Sequence, residues 1–155
     1  MQNNKLFFFE ELSFDETNKI IILDIDGTLV ADLKDCCDDK VIDKINYILE
    51  KNEIYLSTNS RNNKRNLKIQ ETLNLPFTNL LYKKPNKKVI DNISNPSKNF
   101  LVIGDKFLTD FILAKRINSD FIWVKRKIDG KERLIIKIIN LIDDISYFVY
   151  RLFFK

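Results

Sequence analysis

The stretch IILDIDGTLV, Ile21 to Val30, decides how the rest of the chain is read. Three apolar residues run into Asp24, one more separates it from Asp26, and Gly27-Thr28 follow. A short apolar run bounded by a turn signal is a buried strand. Burying one carboxylate is costly, and placing two side by side adds repulsion. Either the pair is solvated at a turn, or a cation sits between them.

Working outward, short apolar runs alternate with segments of helical period. Strands are expected over residues 19–24, 53–57, 80–83, 100–103 and 121–125. Helices are expected over 39–50, with Val41, Ile45, Ile48 and Leu49 on one face, and over 62–73, 87–93 and 107–117. A long final helix is expected over 131–151, with Ser146 as its weak point. Strand–helix alternation means an α/β fold with a mostly parallel sheet flanked by helices. At 155 residues the chain fits one domain, 1–155.

Composition narrows the chemistry. Hydrophobic residues make up 45% and charged residues 31%, the balance of a globular chain. There is no histidine, which excludes Ser-His-Asp triads, His-ligated zinc and phosphohistidine. The two cysteines are neighbours, Cys36-Cys37, without C-x-x-C spacing, and neither has Arg six positions on. Acid–base chemistry must therefore come from Asp, Glu, Lys or Tyr. A reducing, cytoplasmic setting is expected: the N-terminal MQNNKLFFFEEL shows no cleavable signal, and no apolar run reaches a membrane-spanning length. The net charge of +4 favours an anionic partner.

In parallel α/β sheets, ligands bind outside the carboxyl ends of the strands. The expected strands end in Asp24 and Asp26, in Ser57-Thr58-Asn59-Ser60, in Lys83-Lys84-Pro85, and in GDKFLTD from Gly104 to Asp110. Residues i and i+2 of a strand share a face, so Asp24 and Asp26 can point into one site, with Gly27 permitting the turn that frees them. Two carboxylates plus Asp105 make a hard oxygen site suited to Mg²⁺. Thr58, Asn59 and Lys84 can hold anionic oxygens opposite the ion. That is a site for a phosphoryl group.

DIDGTL resembles the first motif of the haloacid dehalogenase-like hydrolase superfamily, LSTNS its second, Lys84 its third and GDKFLTD its fourth, in the same order. The resemblance covers residues 20–124 and implies a Rossmann-like fold. It implies that Asp24 is a nucleophile forming an aspartyl-phosphate. Asp26 would be the acid–base residue, with its carbonyl also touching Mg²⁺. Thr58 would bind a phosphoryl oxygen, Lys84 would neutralise phosphate and nucleophile, and Asp105 would ligate Mg²⁺ with support from Asp110.

Within that superfamily the spacing is similar to the capless branch that includes the phosphatidylglycerophosphate phosphatases. NLPFTNLLYKKP and VIGDKFLTDFILAKRINSDFIWVKR carry this likeness. The chain departs from the branch at Gly27, where Asn is usual, at Ala114-Lys115, where Gly-Gly is usual, and at Asp120, near a usual Gly. None of these removes a catalytic group. The gaps 28–57 and 59–83 leave no room for a folded cap, so the site should be open to a phosphate carried on something large.

Arg61, Lys64, Arg65, Lys83, Lys84, Lys87, Lys88, Lys125, Arg126 and Lys127 flank the same edge. They are read either as solvated helix ends or as a basic rim facing an anionic surface. The C-terminal IIKIINLIDDISYFVYRLFFK is expected to pack on the sheet as core. The alternative is that Phe148, Leu152, Phe153 and Phe154, beside Arg151 and Lys155, rest in a membrane interface. The favoured reading is a Mg²⁺-dependent phosphomonoesterase acting on a lipid-borne phosphate, with peripheral membrane contact. One rival is a phosphatase for nucleic-acid ends or nucleotides, disfavoured because Tyr82 and Phe107 are the nearest aromatics. The other is a non-catalytic membrane- or partner-binding module.

Overall fold

The computed structural model describes residues 6–32, 34–94 and 98–154. The start of the N-terminal signal reading and Lys155 lie outside them. A four-stranded parallel sheet has the order β2-β1-β3-β4. Its strands are β1 (Lys19–Asp24), β2 (Glu53–Ser57), β3 (Asn99–Gly104) and β4 (Asp120–Trp123). The helices are α1 (Asp39–Leu49), α2 (Asn63–Leu73), α3 (Ile112–Arg116) and α4 (Leu134–Phe153). This is the expected α/β, Rossmann-like architecture.

β1 is central because both its faces are apolar. Alternation sends Ile21 and Leu23 to one side, where they meet Val41, Ile45 and Ile48 of α1 and Ile69 of α2. Ile20 and Ile22 go to the other side, where they meet Val89, Val102, Leu113 and Ala114. The chain leaves β1 toward β2 on one flank and returns to β3 on the other. The crevice between β1 and β3 is thus the switch point where α/β sheets bind ligands.

The expected strand over 80–83 does not form. The Asn79 side chain accepts from Leu81 N at 3.1 Å, an Asx-turn that bends the chain out of extended geometry and leaves Leu81 87% exposed. Lys84 is therefore presented by a loop, not by a strand end. The expected helix over 87–93 shrinks to a 3₁₀ turn, Lys87–Ile90, capped by the Asn86 side chain. The helix expected over 107–117 begins as a π turn, Phe107–Phe111, with Phe111 N donating to Lys106 O at 3.1 Å, and continues as α3.

α4 starts three residues later than expected. The Glu132 carboxylate accepts from Asp129 N at 2.7 Å and Gly130 N at 3.3 Å, which holds the preceding segment as a loop. The helix runs unbroken through Ser146, whose hydroxyl donates back to Ile142 O at 2.8 Å. Its placement overturns the expectation that it packs on the sheet as core. Asp143 is its buried residue, and its large aliphatic side chains, Ile136 apart, are exposed. The inner face is a seam of rings: Tyr147 lies 4.4 Å from Trp123, and Tyr150 lies 5.1 Å from Phe107, centroid to centroid. No helix among the described residues is long and apolar enough to cross a membrane.

Candidate active site

β1 ends at Asp24, which is buried, and the chain turns at once. Gly27 has φ +93°, where an L side chain is strained, and its N–H donates to Val30 O at 2.8 Å to close the turn. Space demands glycine there as well: an added Cβ would lie 2.6 Å from an oxygen of Asp105. The turn thus lets the carboxylate after β3 come up against the end of β1. Gly104 does the same for Asp110, whose carboxyl occupies the space a Cβ would fill.

Lys84 lies among these acids. Its ammonium donates to Asp24 Oδ1, to Asp110 Oδ1 at 2.6 Å and to Ser57 O at 3.4 Å. Burial works against its charge, but Asp110 and Asp24 outweigh burial and raise its pKa above the ordinary lysine value. The loop that delivers Lys84 is held by Asn59, whose Oδ1 accepts from Lys84 N at 2.8 Å and whose Nδ2 donates to Lys84 O at 2.9 Å. Both polar ends of the Asn59 side chain are thus engaged with backbone. It fixes Lys84, and only its main chain is left to face an anion.

Asp26 is anchored differently. Thr58 Oγ1 donates to its Oδ2 at 2.8 Å, and Arg65 pairs with its Oδ1 at 2.8 Å. Arg65, read from sequence as part of an exposed basic rim, is buried, and its Nε also donates to Lys34 O at 2.5 Å. Arg126 turns inward too. Its Nε donates to Asp105 Oδ2 at 2.6 Å, and its other nitrogens reach Asp143 and Asp144 of α4 at 3.2 Å. Lys106 reaches across to the Asp26 carbonyl at 2.8 Å and to Asp105 Oδ1 at 3.5 Å. The site roles of these three cations were not foreseen from sequence. The one available signal was that Lys106 directly follows Asp105.

The acids fit a divalent cation. Asp24, Asp105 and Asp110 each offer an oxygen, and the three atoms lie within 4.8 Å of one another. Asp24 Oδ2 is buried and has no hydrogen-bond partner among the described residues, a costly state unless an ion completes it. Burial, opposed first by Lys106, pushes the Asp105 carboxyl up. Burial pushes the Asp110 carboxyl up to about 7, with Lys84 pulling it back and Asp24 and Asp105 adding to the rise. An all-oxygen donor set suits Mg²⁺ over softer metals. Asp110 accepts from Lys84 and from Lys106 N at 3.2 Å, and Asp105 accepts from Arg126 at 2.6 Å, from Thr28 at 3.3 Å and from Lys106 at 3.5 Å. Asp24 Oδ2 is the unpartnered oxygen, and the Lys106 ammonium bridges Asp105 and the Asp26 carbonyl, so a cation held by Asp24, Asp105 and that carbonyl would take the place of the ammonium.

Asp24 and Asp26 open into a cavity of about 400 Å³. Asp24, Asp26, Lys84 and Lys106 line its polar end, and Ile136, Ile139 and Asn140 of α4 line another part of its wall. A buried carboxylate with one free oxygen, a neighbouring ammonium and room for a cation is equipped to attack an electrophile that carries negative charge.

Comparison with known proteins gives one family match. The model of a family described as mitochondrial PGP phosphatase matches residues 9–129. No curated protein matches the chain, and no solved structure matches it.

Proposed function

The chain belongs to the mitochondrial PGP phosphatase family, and from that premise we propose that it is a Mg²⁺-dependent phosphomonoesterase whose substrate is a lipid-borne phosphate, phosphatidylglycerophosphate. The observation that carries the proposal is Asp24 Oδ2, a buried carboxylate oxygen without a partner, beside the Lys84 ammonium in the wall of an open cavity.

In this reading Asp24 attacks phosphorus. The phosphorus–oxygen ester bond breaks, and Asp26 gives a proton to the departing glycerol oxygen. The phosphoryl group then rests on Asp24 as an acyl phosphate. Asp26 next takes a proton from water, the water oxygen attacks phosphorus, and inorganic phosphate leaves with Asp24 restored. Thr58 and Arg65 hold Asp26 in place throughout. Lys84 offsets the charge that Asp24 and the phosphate bring together, and Asn59 keeps Lys84 in reach. When bound, Mg²⁺ would supply the positive charge that lets an anionic phosphate approach a carboxylate. Asp24, Asp105 and the Asp26 carbonyl would hold it.

Openness favours a large substrate. Among the described residues, α1 is the only helix between β1 and β2, and α2 with one 3₁₀ turn lies between β2 and β3. In this reading neither connection carries a cap domain. The test is phosphate release from phosphatidylglycerophosphate in mixed micelles with Mg²⁺, set beside soluble monoesters and phosphorylated oligonucleotides. Asp24→Asn should lower turnover by on the order of 10⁴-fold, and chelation should abolish it. Oligonucleotide turnover without lipid turnover would move the substrate and keep the mechanism. Full activity in Asp24→Asn would overturn the mechanism. No turnover of any substrate would leave a non-catalytic module as the better account.

A further inference from the structure

α4 lies beyond residues 9–129, so family membership says nothing about it. Its inward side carries Asp143, Tyr147 and Tyr150, with Ile136 and Asn140 at the cavity wall. The Asp143 carboxylate accepts from Phe107 N at 2.9 Å and Leu108 N at 2.8 Å, capping the π turn. Its outward side carries Leu134, Ile138, Leu141, Ile145, Phe148 and Leu152, each between 44% and 73% exposed. Spaced alternately by four and three residues, these six form one stripe. The helix therefore buries a carboxylate and shows its apolar face to solvent, the reverse of a core helix. Exposed apolar surface of this extent marks an interaction site.

We propose that α4 docks the protein on an anionic lipid bilayer, lying in the plane of its interface. The proposal deepens the lipid-phosphate reading and rests on it for the purpose docking would serve. Three observations select lipid over a second helix. First, Ile135, Ile142 and Val149 flank the stripe on one side, which makes the apolar face too broad for a two-helix seam, where charged residues flank the contact. Second, Arg133, Lys137 and Arg151 are all exposed on or beside α4, whereas Asp143 is buried and Asp144 is paired with Arg126. Three cations against two carboxylates leave this segment with a positive balance, which complements anionic headgroups. Third, Ile139, 45% exposed beside Ile135 and Ile142 at the edge of the apolar face, also lines the catalytic cavity. Lipid under α4 would bring headgroups to the cavity mouth, whereas a second copy seated there would crowd it. At about 1.5 Å per residue the helix presents roughly 30 Å of contact.

The test is co-sedimentation with phosphatidylcholine vesicles, with and without phosphatidylglycerol. Leu141→Ser/Ile145→Ser/Phe148→Ser removes the centre of the stripe and touches neither cavity nor core. The wild-type chain should bind the mixed vesicles, and the triple variant should bind about 100-fold more weakly at an unchanged circular dichroism spectrum. Lys137→Glu/Arg151→Glu should remove the preference for phosphatidylglycerol. Three results would overturn the proposal. The wild-type chain could fail to sediment with either vesicle. The triple variant could bind as well as wild type. Sedimentation velocity could show a dimer that the triple variant dissolves, which would assign the face to a second copy. The phosphatase reading is judged separately, by turnover of detergent-dispersed substrate, which the triple variant should retain. Vesicle binding without any turnover would keep the docking face and reject the enzyme.

Discussion

α1 and α4 are both amphipathic helices of regular period, and the protein uses them in opposite ways. α1 turns Val41, Ile45 and Ile48 inward until almost nothing of them meets water. α4 turns an even richer apolar stripe outward and keeps Asp143 inside. The period of a sequence shows that a helix has an apolar face. It does not show what will cover that face. In α1 the cover is the sheet, where Ile21 and Leu23 share one buried layer with Val41, Ile45 and Ile48. In α4 the inward side is fixed by specific polar demands: the π turn at Phe107 needs a cap, and Arg126 needs a second carboxylate. Those demands, with the ring seam, decide the rotation of the helix about its axis.

The largest expected effect tests the α1 half of this contrast. Ile45→Ala removes a fully buried side chain from the layer between helix and sheet. It should cost about 2–5 kcal/mol of unfolding free energy, read from urea denaturation. A cost under about 1 kcal/mol would mean that α1 is no more committed to the core than α4.

Asp143→Ala comes next and tests what orients α4. It leaves two backbone N–H groups and one guanidinium contact without their acceptor, and should cost about 1–3 kcal/mol. Trp123 is the only tryptophan, and it packs on Tyr147 of α4. Its fluorescence should shift to the red as the helix loosens. An unchanged spectrum would show that the ring seam alone sets the rotation and that the carboxylate is incidental.

Asp110 sharpens the contrast from the other side, as a buried acid crowded by acids. Its carboxyl is pushed up to about 7 in the fold against 3.8 for the ordinary group. The folded state then binds more protons than the unfolded state between those values, so stability falls as pH rises. The contribution of Asp110 is fully present below about pH 3.8 and is lost through about pH 7. Metal-free thermal melts should show part of this decline, and Asp110→Asn should flatten it. An equal slope in the variant would assign the decline to other groups.

Much of this was legible beforehand, for physical reasons. β1, β2 and the start of the site follow from one-sided and two-sided apolar runs that leave the chain little choice. Asp24, Asp26 and Asp105 could be brought together on paper because parallel strands share one carboxyl edge. The strand over 80–83 was misread because a single Asn79 side chain outcompetes a weak extended preference. Arg65 and Arg126 looked like rim because arginine and lysine are ordinarily solvated, and Lys106 was assigned no role. They fold inward because the acids at the site demand cations, a demand that appears only when distant segments meet. The facing of α4 was misread because periodicity says nothing about Phe107 and Arg126, which lie far away in sequence.

The smallest expected effect is the most discriminating. Leu141 is 58% exposed at the middle of the outward stripe. Leu141→Ala removes apolar surface that water touches in both the folded and unfolded states, so little burial is lost. Alanine is also at least as good a helix former as leucine. Without lipid, the change in unfolding free energy should stay within about 0.5 kcal/mol, against several for Ile45→Ala, although both remove the same number of carbons from a stripe of the same period. A cost near that of Ile45→Ala would mean that the face is already covered in solution by protein. The bilayer would then have no face left to bind, and α4 would join α1 as an ordinary packed helix.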